Sequence, residues 1–316
     1  IRASDWSSDV CSSDLRIILP TSVEQYKIGN LYMTAERSRQ ETQQVKGEGI
    51  EVITNEPFTN EKESGQYTYK IMHFKSRIPA FLRWALPDKY CHCHEKSWNS
   101  YPHYYTEYNV PGMGDDMVMN IESRHCPYVK GEEIPDNAIG LSKKELKMRK
   151  IVYLDILDSK PKPDKKENDL HGFVCPEAKI ETPLQGNPKG KKAKETGPPY
   201  WTESYTGEMM IAIKVVKFHF HWRGLQNAAE KYATNTFYHN LFLDTHRQLM
   251  KTADKWYPMT LEKVREFEEQ VIAESRATEF ERDEGKGDDE ISIPDKPPEG
   301  MEMPPEESSS SDEKSN

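Results

Sequence analysis

GQYTYKIMHF, residues 65–74, alternates its side chains in the way that a β-strand requires, and this alternation decides how the surrounding sequence folds. Thr68 and Lys70 therefore point to the same face of the strand. HEKSWNSYP, residues 94–102, follows as a second strand-like run that is rich in aromatic residues and contains Asn99. The three polar side chains leave two interpretations. They belong either to a solvent-exposed sheet face or to an inward face whose polar groups require a polar ligand.

Further strand signals surround these two runs. EGIEVITN, residues 48–55, is expected to form a hairpin with residues 65–74 and to end at the turn-like NEPF, residues 55–58. The remaining runs with strand character are residues 91–94, 101–108, 116–123, 150–157 and 208–222. The last two of these runs are separated by residues 158–200, which are rich in Lys, Pro and Gly and are predicted to form a long polar loop.

Helical signals occur on both sides of the strands and once between them. SVEQYKIGNLYMTAERS, residues 22–38, predicts a helix that is capped by its first residue, and IPAFLRWALP, residues 78–87, predicts a short one. Apolar residues that recur from Leu225 predict a helix that Pro258 ends, and Thr260 is expected to cap another. Many strands followed by terminal helices predict an α+β fold with an antiparallel sheet.

Both ends of the chain differ from the body between them. DWSSDVCSSDL, residues 5–15, back-translates into a common sequencing-library adapter, so residues 1–15 are interpreted as a disordered assembly artefact before native sequence from Arg16. Residues 281–316 carry 13 acidic and 4 basic side chains, and this acidic, Ser- and Pro-rich composition predicts a disordered tail. The whole chain has a net charge of −10, but residues 16–280, the predicted folded domain, carry +1. A nearly neutral body is compatible with an anionic membrane surface and lacks the basic footprint of a nucleic-acid-binding protein.

The cysteines and the hydropathy of the sequence predict a cytoplasmic protein. No apolar run is long enough to predict a transmembrane helix, and no secretion signal is visible. The cysteines outside the first 15 residues are therefore expected to be reduced thiols in the cytoplasm. They are Cys91, Cys93, Cys126 and Cys175.

Signatures of catalysis and metal binding are weak. The sequence contains neither a phosphate-binding glycine loop nor a G-x-S-x-G nucleophile motif. CHCHEK, residues 91–96, combines cysteines and histidines, but strand alternation puts the two residue types on opposite faces. His219 and His221 share one face and have the donor atoms for a metal, although an ordinary sheet face explains them as well. These observations favour a binding protein without a metal or other cofactor over an enzyme.

Several motifs in a fixed order give the chain a family resemblance. RIILPTSVEQYKIGNLY, residues 16–32, is followed by GEGIEVITNEPF, GQYTYKI and HEKSWNSYP, and later by VKFHFHWRGLQ, HRQL and DKWYPMTLEKVREFEE. Over residues 16–275 the chain resembles the phosphatidylinositol transfer proteins. That resemblance implies a START-like helix-grip fold, in which a large concave antiparallel sheet and long helices enclose a single lipid.

The resemblance also implies the residues of a lipid-binding site. In the family, a threonine and a lysine on one strand, an asparagine after a tryptophan and a glutamate on the last helix hold the inositol ring. The corresponding residues here are Thr68, Lys70, Asn99 and Glu268. The family's phosphate-side groups correspond to Asn30, Thr106, Ser123 and Lys214. Asn30 replaces the usual glutamine and Ser123 the usual threonine, and both keep the functional group.

Two further departures from the family concern the membrane and the second lipid. Trp222 and Arg223 stand where animal members have a tryptophan pair that enters the membrane. One aromatic anchor remains, and the arginine is expected to meet an anionic headgroup instead. Tyr104 replaces a cysteine that lies near the choline-lipid site in some members, which leaves the second lipid open.

The sequence therefore predicts a monomeric cytoplasmic carrier that visits membrane surfaces transiently. It is expected to bind one phosphatidylinositol as cargo and to exchange it for a second phospholipid, with phosphatidylcholine the expected one. Two alternatives stay open at this point. One is a lipid-responsive signalling adaptor that acts through its acidic tail, and the other is a metal-dependent enzyme that uses the Cys/His cluster.

Overall fold

Within the described part of the chain, eight strands form one mixed sheet. They are β1 (Cys11–Leu19), β2 (Gly49–Thr59), β3 (Ser64–His73), β4 (His92–Ser100), β5 (His103–Asn109), β6 (Met117–Pro127), β7 (Lys150–Leu154) and β8 (Met210–Phe220). Their spatial order is β2-β3-β4-β5-β6-β8-β1-β7. The computed structural model describes residues 11–278 and 280, apart from residues 74, 81–89, 159–167, 187–195 and 223.

The helices come mainly before the second strand and after the last one. They are α1 (Val23–Gln44), α2 (Lys143–Met148), α3 (Gln226–Tyr232), α4 (Tyr238–Lys251), α5 (Ala253–Trp256) and α6 (Leu261–Arg276). A π-helical turn, Ala233–Phe237, joins α3 to α4. An α+β architecture with one large sheet and terminal helices is thus confirmed.

The predicted helix starts and the predicted hairpin are also confirmed. The side chain of Ser22 accepts a hydrogen bond from the backbone nitrogen of Gln25 at 3.1 Å, and Thr260 caps α6 in the same way. Strands β2 and β3 pair antiparallel across a short polar turn at residues 60–63. Most of the short helix predicted at residues 78–87 lies outside the described residues.

Three local predictions were wrong. The segment NEPF, residues 55–58, does not end the strand, because β2 continues to Thr59 and pairs with β3 along its length. The sheet is not purely antiparallel, since β1 and β7 pair in parallel. The single helix predicted between Leu225 and Pro258 is divided into α3, the π turn, α4 and α5.

The first strand changes the expectation for the start of the chain. Cys11–Leu15 are not disordered in the described structure but form the first half of β1, paired with both β7 and β8. Asp14 is buried there and forms an ion pair with Arg16 at 3.1 Å. Residues 1–10 lie outside the described residues, and the adapter origin of residues 1–15 stays a prediction.

The core joins the centre of the sheet to the terminal helices. Ile17 and Ile211 from adjacent strands belong to the same buried cluster as Trp256, and all three are fully buried. Each such side chain stabilises the fold by about 1.5–3 kcal/mol. Gly29 lets α1 approach closely, because a Cβ atom there would meet Leu249 and Trp256 at 3.1 Å. This packing leaves α1 and the later helices over one face of the sheet, where the cavity lies.

Candidate functional site

A cavity of about 550 Å³ lies between one face of the sheet and helices α1, α3, α4 and α6. It contains all eight side chains that the sequence assigned to a headgroup and its phosphate. They are Asn30, Thr68, Lys70, Asn99, Thr106, Ser123, Lys214 and Glu268. The inward interpretation of the polar strand face is therefore the one the structure supports, because the helices enclose that face.

One row of polar side chains crosses four strands at the cavity wall. Asn99 lies opposite Tyr104, Tyr104 opposite Ser123, and Ser123 opposite Lys214. The Lys214 Nζ atom donates a hydrogen bond to Ser123 Oγ at 3.3 Å. Because the four residues are in register, their side chains emerge on the same face. The row offers an ammonium, hydroxyls and an amide to one bound group.

Lys214 supplies the positive charge of this row from a buried position. Burial lowers the pKa of Lys214 from 10.5 to about 8, since an apolar environment disfavours the ammonium form. The Nζ atom also lies 5.2 Å from the centre of the Phe242 ring. A buried cation whose hydrogen-bond partner here is a neutral hydroxyl gains most from a negatively charged ligand.

A second row contains hydroxyl side chains. Thr68 lies opposite Ser97, and Ser97 lies opposite Thr106. The Oγ atoms of Ser97 and Thr106 are 2.8 Å apart and share a hydrogen bond. Thr68 donates to the side-chain oxygen of Asn55 at 3.2 Å, so its own oxygen remains an acceptor for a ligand.

A third row combines opposite charges. Lys70 lies opposite Glu95, with 3.4 Å between Nζ and Oε1, and both side chains are about nine-tenths buried. Glu95 in turn lies opposite Tyr108. Burial, followed by the charge of Glu95 and a hydrogen bond to it, raises the pKa of Tyr108. The site therefore includes an acceptor that Lys70 already contacts.

Helix α6 closes the polar end of the cavity with Glu268. The Glu268 carboxylate accepts a hydrogen bond from Arg265 Nη1 at 2.5 Å. Tyr104, on the sheet, is close enough to Asn30 of α1 and to Arg265 and Glu268 of α6 for all three to act on its pKa. Burial is the main cause that raises the pKa of Tyr104. Residues from the sheet, α1 and α6 thus converge on one polar region.

The other end of the same cavity is apolar. Its wall includes three methionines and several aromatic rings, and burial raises the pKa of the Tyr238 hydroxyl there. The main apolar residues of this end are Met113, Met117, Met119, Phe218, Phe220 and Tyr238. A cavity with one polar and one apolar end fits an amphiphile better than a uniformly polar metabolite.

Of the two residues predicted to contact a membrane, the structure describes Trp222. Trp222 is partly buried and packs its ring edge-on against Tyr90, with 5.9 Å between ring centres. Tyr90 lines the cavity, so Trp222 lies next to the cavity wall. Arg223 lies outside the described residues.

The Cys/His cluster, residues 91–96, does not form a metal centre. Among the residues that the structure describes, no three His, Cys, Asp or Glu side chains are arranged to hold a metal ion. Cys93 faces the cavity, whereas the Nδ1 atom of His94 shares a hydrogen bond of 2.6 Å with the hydroxyl of Tyr69. The Nδ1 atom of His221 is 3.1 Å from the Oδ1 atom of Asp116. In the same described part of the chain, no helix has the length and apolar character needed to cross a bilayer.

Several polar residues of the cavity wall were not predicted from the sequence, among them Glu95 and Ser97. Both lie in the quoted run HEKSWNSYP, from which only Asn99 was assigned to the site. The alternation of that run puts Glu95 and Ser97 on the same face as Asn99, and this signal was available. Their partners, Lys70 and Thr106, follow only from the strand register.

Comparisons with known proteins agree with the geometry. A family model described as "Phosphatidylinositol transfer protein" matches residues 10–273. Phosphatidylinositol transfer protein 2 of Dictyostelium discoideum is 36% identical over 261 residues, which cover 83% of this chain and 93% of the relative. The beta isoform of phosphatidylinositol transfer protein from Rattus norvegicus is 37% identical over 268 residues, which cover 84% of this chain and 93% of the relative. The family resemblance is confirmed, and nothing in these matches favours the signalling-adaptor alternative.

Proposed function

The chain belongs to the phosphatidylinositol transfer protein family, whose members are lipid carriers and not enzymes, and we propose that it carries one phosphatidylinositol in the cavity described above. In this proposal the protein exchanges its cargo for a second phospholipid between membranes. The observation that supports it best is the convergence of all eight expected polar side chains on the wall of a cavity with an apolar far end.

The inositol ring is assigned to the residues around Lys70. Inositol presents hydroxyl groups, and each buried hydroxyl without a partner costs about 1–3 kcal/mol. Lys70 supplies donors, ionised Glu268 supplies acceptors, and Asn99 and Thr68 supply both. Glu95 joins this set in our proposal, because it contacts Lys70 at 3.4 Å and offers a further carboxylate to the ring.

The phosphate is assigned to Lys214 and its neighbours. Lys214 supplies the charge, while Ser123, Thr106 and Asn30 supply neutral hydrogen-bond donors. A phosphate beside the ammonium would offset the burial that lowers the pKa of Lys214 to about 8. Because every glycerophospholipid carries this phosphate, the second cargo is expected to use the same four residues.

The acyl chains are assigned to the apolar end. Burying about 30 methylene groups contributes roughly 24 kcal/mol at about 0.8 kcal/mol each, so a carrier must shield both chains from water. Methionines suit this task because their unbranched, flexible side chains adapt to different chain shapes. One lipid fills one cavity, which is consistent with a protein that acts as a monomer.

We further propose that the second cargo is phosphatidylcholine and that exchange takes place at a membrane surface reached from the cytoplasm. The esterified choline of phosphatidylcholine has no free hydroxyl and therefore makes no use of Lys70, Thr68, Asn99 or Glu268 as hydrogen-bond partners. Trp222 and Arg223 are proposed to touch the bilayer during exchange, and α6 is proposed to act as a lid that opens there. An aromatic ring and a cation are suited to the headgroup region.

Mass spectrometry of lipids that co-purify with the protein, together with a vesicle-to-vesicle transfer assay, tests the function directly. Phosphatidylinositol among the bound lipids and protein-dependent transfer of it are the expected results. Absence of both from correctly folded protein would overturn the proposal.

Lys70→Ala tests the headgroup assignment. We expect this change to reduce phosphatidylinositol transfer by at least tenfold and to leave phosphatidylcholine transfer largely intact, because only inositol needs the ammonium donor. Lys96→Ala is the matched control, since Lys96 lies on the adjacent strand with its Nζ 5.7 Å from the Tyr69 ring and does not line the cavity. Equal loss of both transfer activities in Lys70→Ala would contradict the assignment.

A further inference from the structure

The π-helical turn between α3 and α4 breaks an otherwise continuous helix at the edge of the cavity. Ala233–Phe237 form this turn, with α-helix on either side. A π turn inserts a residue into the helical register and is found mostly where function requires an altered side-chain direction. Here the altered direction affects Phe237 and Tyr238, which both line the cavity.

These two neighbours differ sharply in exposure. Tyr238 is 3% exposed, whereas Phe237 is 43% exposed, and their ring centres are 5.1 Å apart. The ring centre of Tyr238 is 6.5 Å from that of Phe218 on β8, and the ring centre of Phe237 is 6.4 Å from that of Tyr232. Aromatic rings therefore lead without a gap from the apolar interior of the cavity to the protein surface.

Phe237 is unusual among the exposed apolar residues of the described structure. Most of the large exposed apolar side chains lie away from the cavity, whereas Phe237 and Val45 both line it. Val45 directly follows α1 and is 41% exposed. Two apolar side chains that are both solvent-exposed and part of the cavity wall mark where the cavity reaches the surface.

The charges around the turn favour a lipid surface as the partner. Residues 231–243 contain Lys231 and His239 but no Asp or Glu, and the flanking acids Glu230 and Asp244 contact His219 and Arg247. An acid-free stretch is not repelled by anionic headgroups. An aromatic ring at the opening is also suited to the boundary between headgroups and acyl chains.

We propose that the π turn Ala233–Phe237 is a bilayer-docking element, with Phe237 as the side chain that enters the lipid layer at the cavity opening. The proposal rests on the carrier function proposed above and adds a contact separate from Trp222 and Arg223. The ring of Phe237 then continues the apolar surface of the cavity into the membrane, so that acyl chains cross without contact with water.

Phe237→Ala tests the docking element on the full chain, with Tyr200→Ala as the matched control. Tyr200 is an aromatic residue of similar exposure, 45%, that does not line the cavity. We expect Phe237→Ala to weaken association with vesicles of phosphatidylcholine and phosphatidylserine about tenfold, because part of an aromatic ring is no longer buried in the lipid. Transfer is expected to slow correspondingly. Tyr200→Ala is expected to match the unmodified protein in vesicle association, in transfer and in the lipid that co-purifies with it.

Phe237→Trp gives a direct measurement of insertion. Lipids brominated in the acyl chains are expected to quench the added fluorescence of Phe237→Trp but not that of Tyr200→Trp. Absence of this quenching, or unchanged vesicle association in Phe237→Ala, would each overturn the docking role. Failure of the unmodified protein to transfer lipid would instead overturn the proposed function.

Discussion

At the scale of single residues, Lys214 links stability to ligand binding. Its buried ammonium, with a pKa near 8, donates to the neutral hydroxyl of Ser123, an arrangement that destabilises the folded protein when no phosphate is present. We expect Lys214→Met to raise the unfolding free energy of lipid-free protein by about 1–3 kcal/mol and to abolish phospholipid transfer. Chemical denaturation of lipid-stripped protein and a vesicle transfer assay measure the two effects.

The pH dependence of this effect has a defined sign. Between pH 8 and pH 10.5 the unfolded chain keeps the Lys214 proton while the folded protein has lost it, so the destabilisation is full below pH 8 and is relieved as pH rises. The advantage of Lys214→Met is therefore expected to shrink above pH 8. Lys217→Met is the control, because Lys217 on the same strand pairs with Glu145 at 2.5 Å. If Lys214→Met destabilises lipid-free protein as much as Lys217→Met does, Lys214 has a structural role.

Residue identity in the site was predictable to different degrees. Alternation alone puts Thr68 and Lys70 on one face, but it does not decide whether water or a cavity lies over that face. That decision depends on helices distant in sequence, above all on α6, which brings Glu268 to the site. Family resemblance supplied this information, whereas the contact between Lys70 and Glu95 required the register of β3 against β4.

At the scale of elements, Ser275 fastens α6 to the edge of the sheet. Its Oγ atom donates to the carbonyl oxygen of Ile50 at 2.7 Å and accepts from the backbone nitrogen of Val52 at 3.4 Å. Loss of these hydrogen bonds in Ser275→Ala is expected to weaken the attachment of α6 to the sheet by about 1 kcal/mol. Since α6 carries Glu268 over the cavity, we expect the variant to release bound lipid severalfold faster. Release of a fluorescent lipid to excess acceptor vesicles measures the rate.

Thr252→Ala is the matched control for this prediction. Thr252 is partly buried and does not line the cavity, and its hydroxyl donates to the Gln248 carbonyl oxygen at 2.9 Å at the end of α4, so its removal breaks a hydrogen bond without separating two elements. Faster release in both variants would indicate general destabilisation and would remove the special role of Ser275.

Element boundaries were predictable where a side chain marks them. Ser22 and Thr260 cap their helices as the sequence indicates, because an oxygen at that position accepts from the first free backbone donors. The π turn at Ala233–Phe237 has no such marker, since ordinary helical spacing continues through it. The proline in NEPF predicts a turn, yet Pro57 lies in β2 at the edge of the sheet, where a missing backbone donor is tolerated.

At the scale of the whole molecule, the sheet order depends on contacts that local patterns do not reveal. The hairpins β2–β3 and β4–β5 join strands that are adjacent in sequence, and these were within reach of sequence reasoning. The parallel pairing of Leu15 with Val152 joins strands far apart in sequence. No alternation within either strand specifies this partner, so the mixed character of the sheet could not be anticipated.

The distribution of charge along the chain leads to a prediction about the acidic residues 281–316. Removal of residues 281–316 deletes a net charge of −9 and leaves residues 1–280 at −1. We expect the truncated chain to retain lipid transfer and, at low ionic strength, to associate more strongly with anionic vesicles, because less like charge approaches the surface. The difference should vanish for vesicles of pure phosphatidylcholine, and also near 1 M salt, where the screening length falls to about 3 Å. Loss of transfer on truncation would assign the acidic tail a direct part in carriage, whereas a salt-independent difference would exclude the electrostatic explanation.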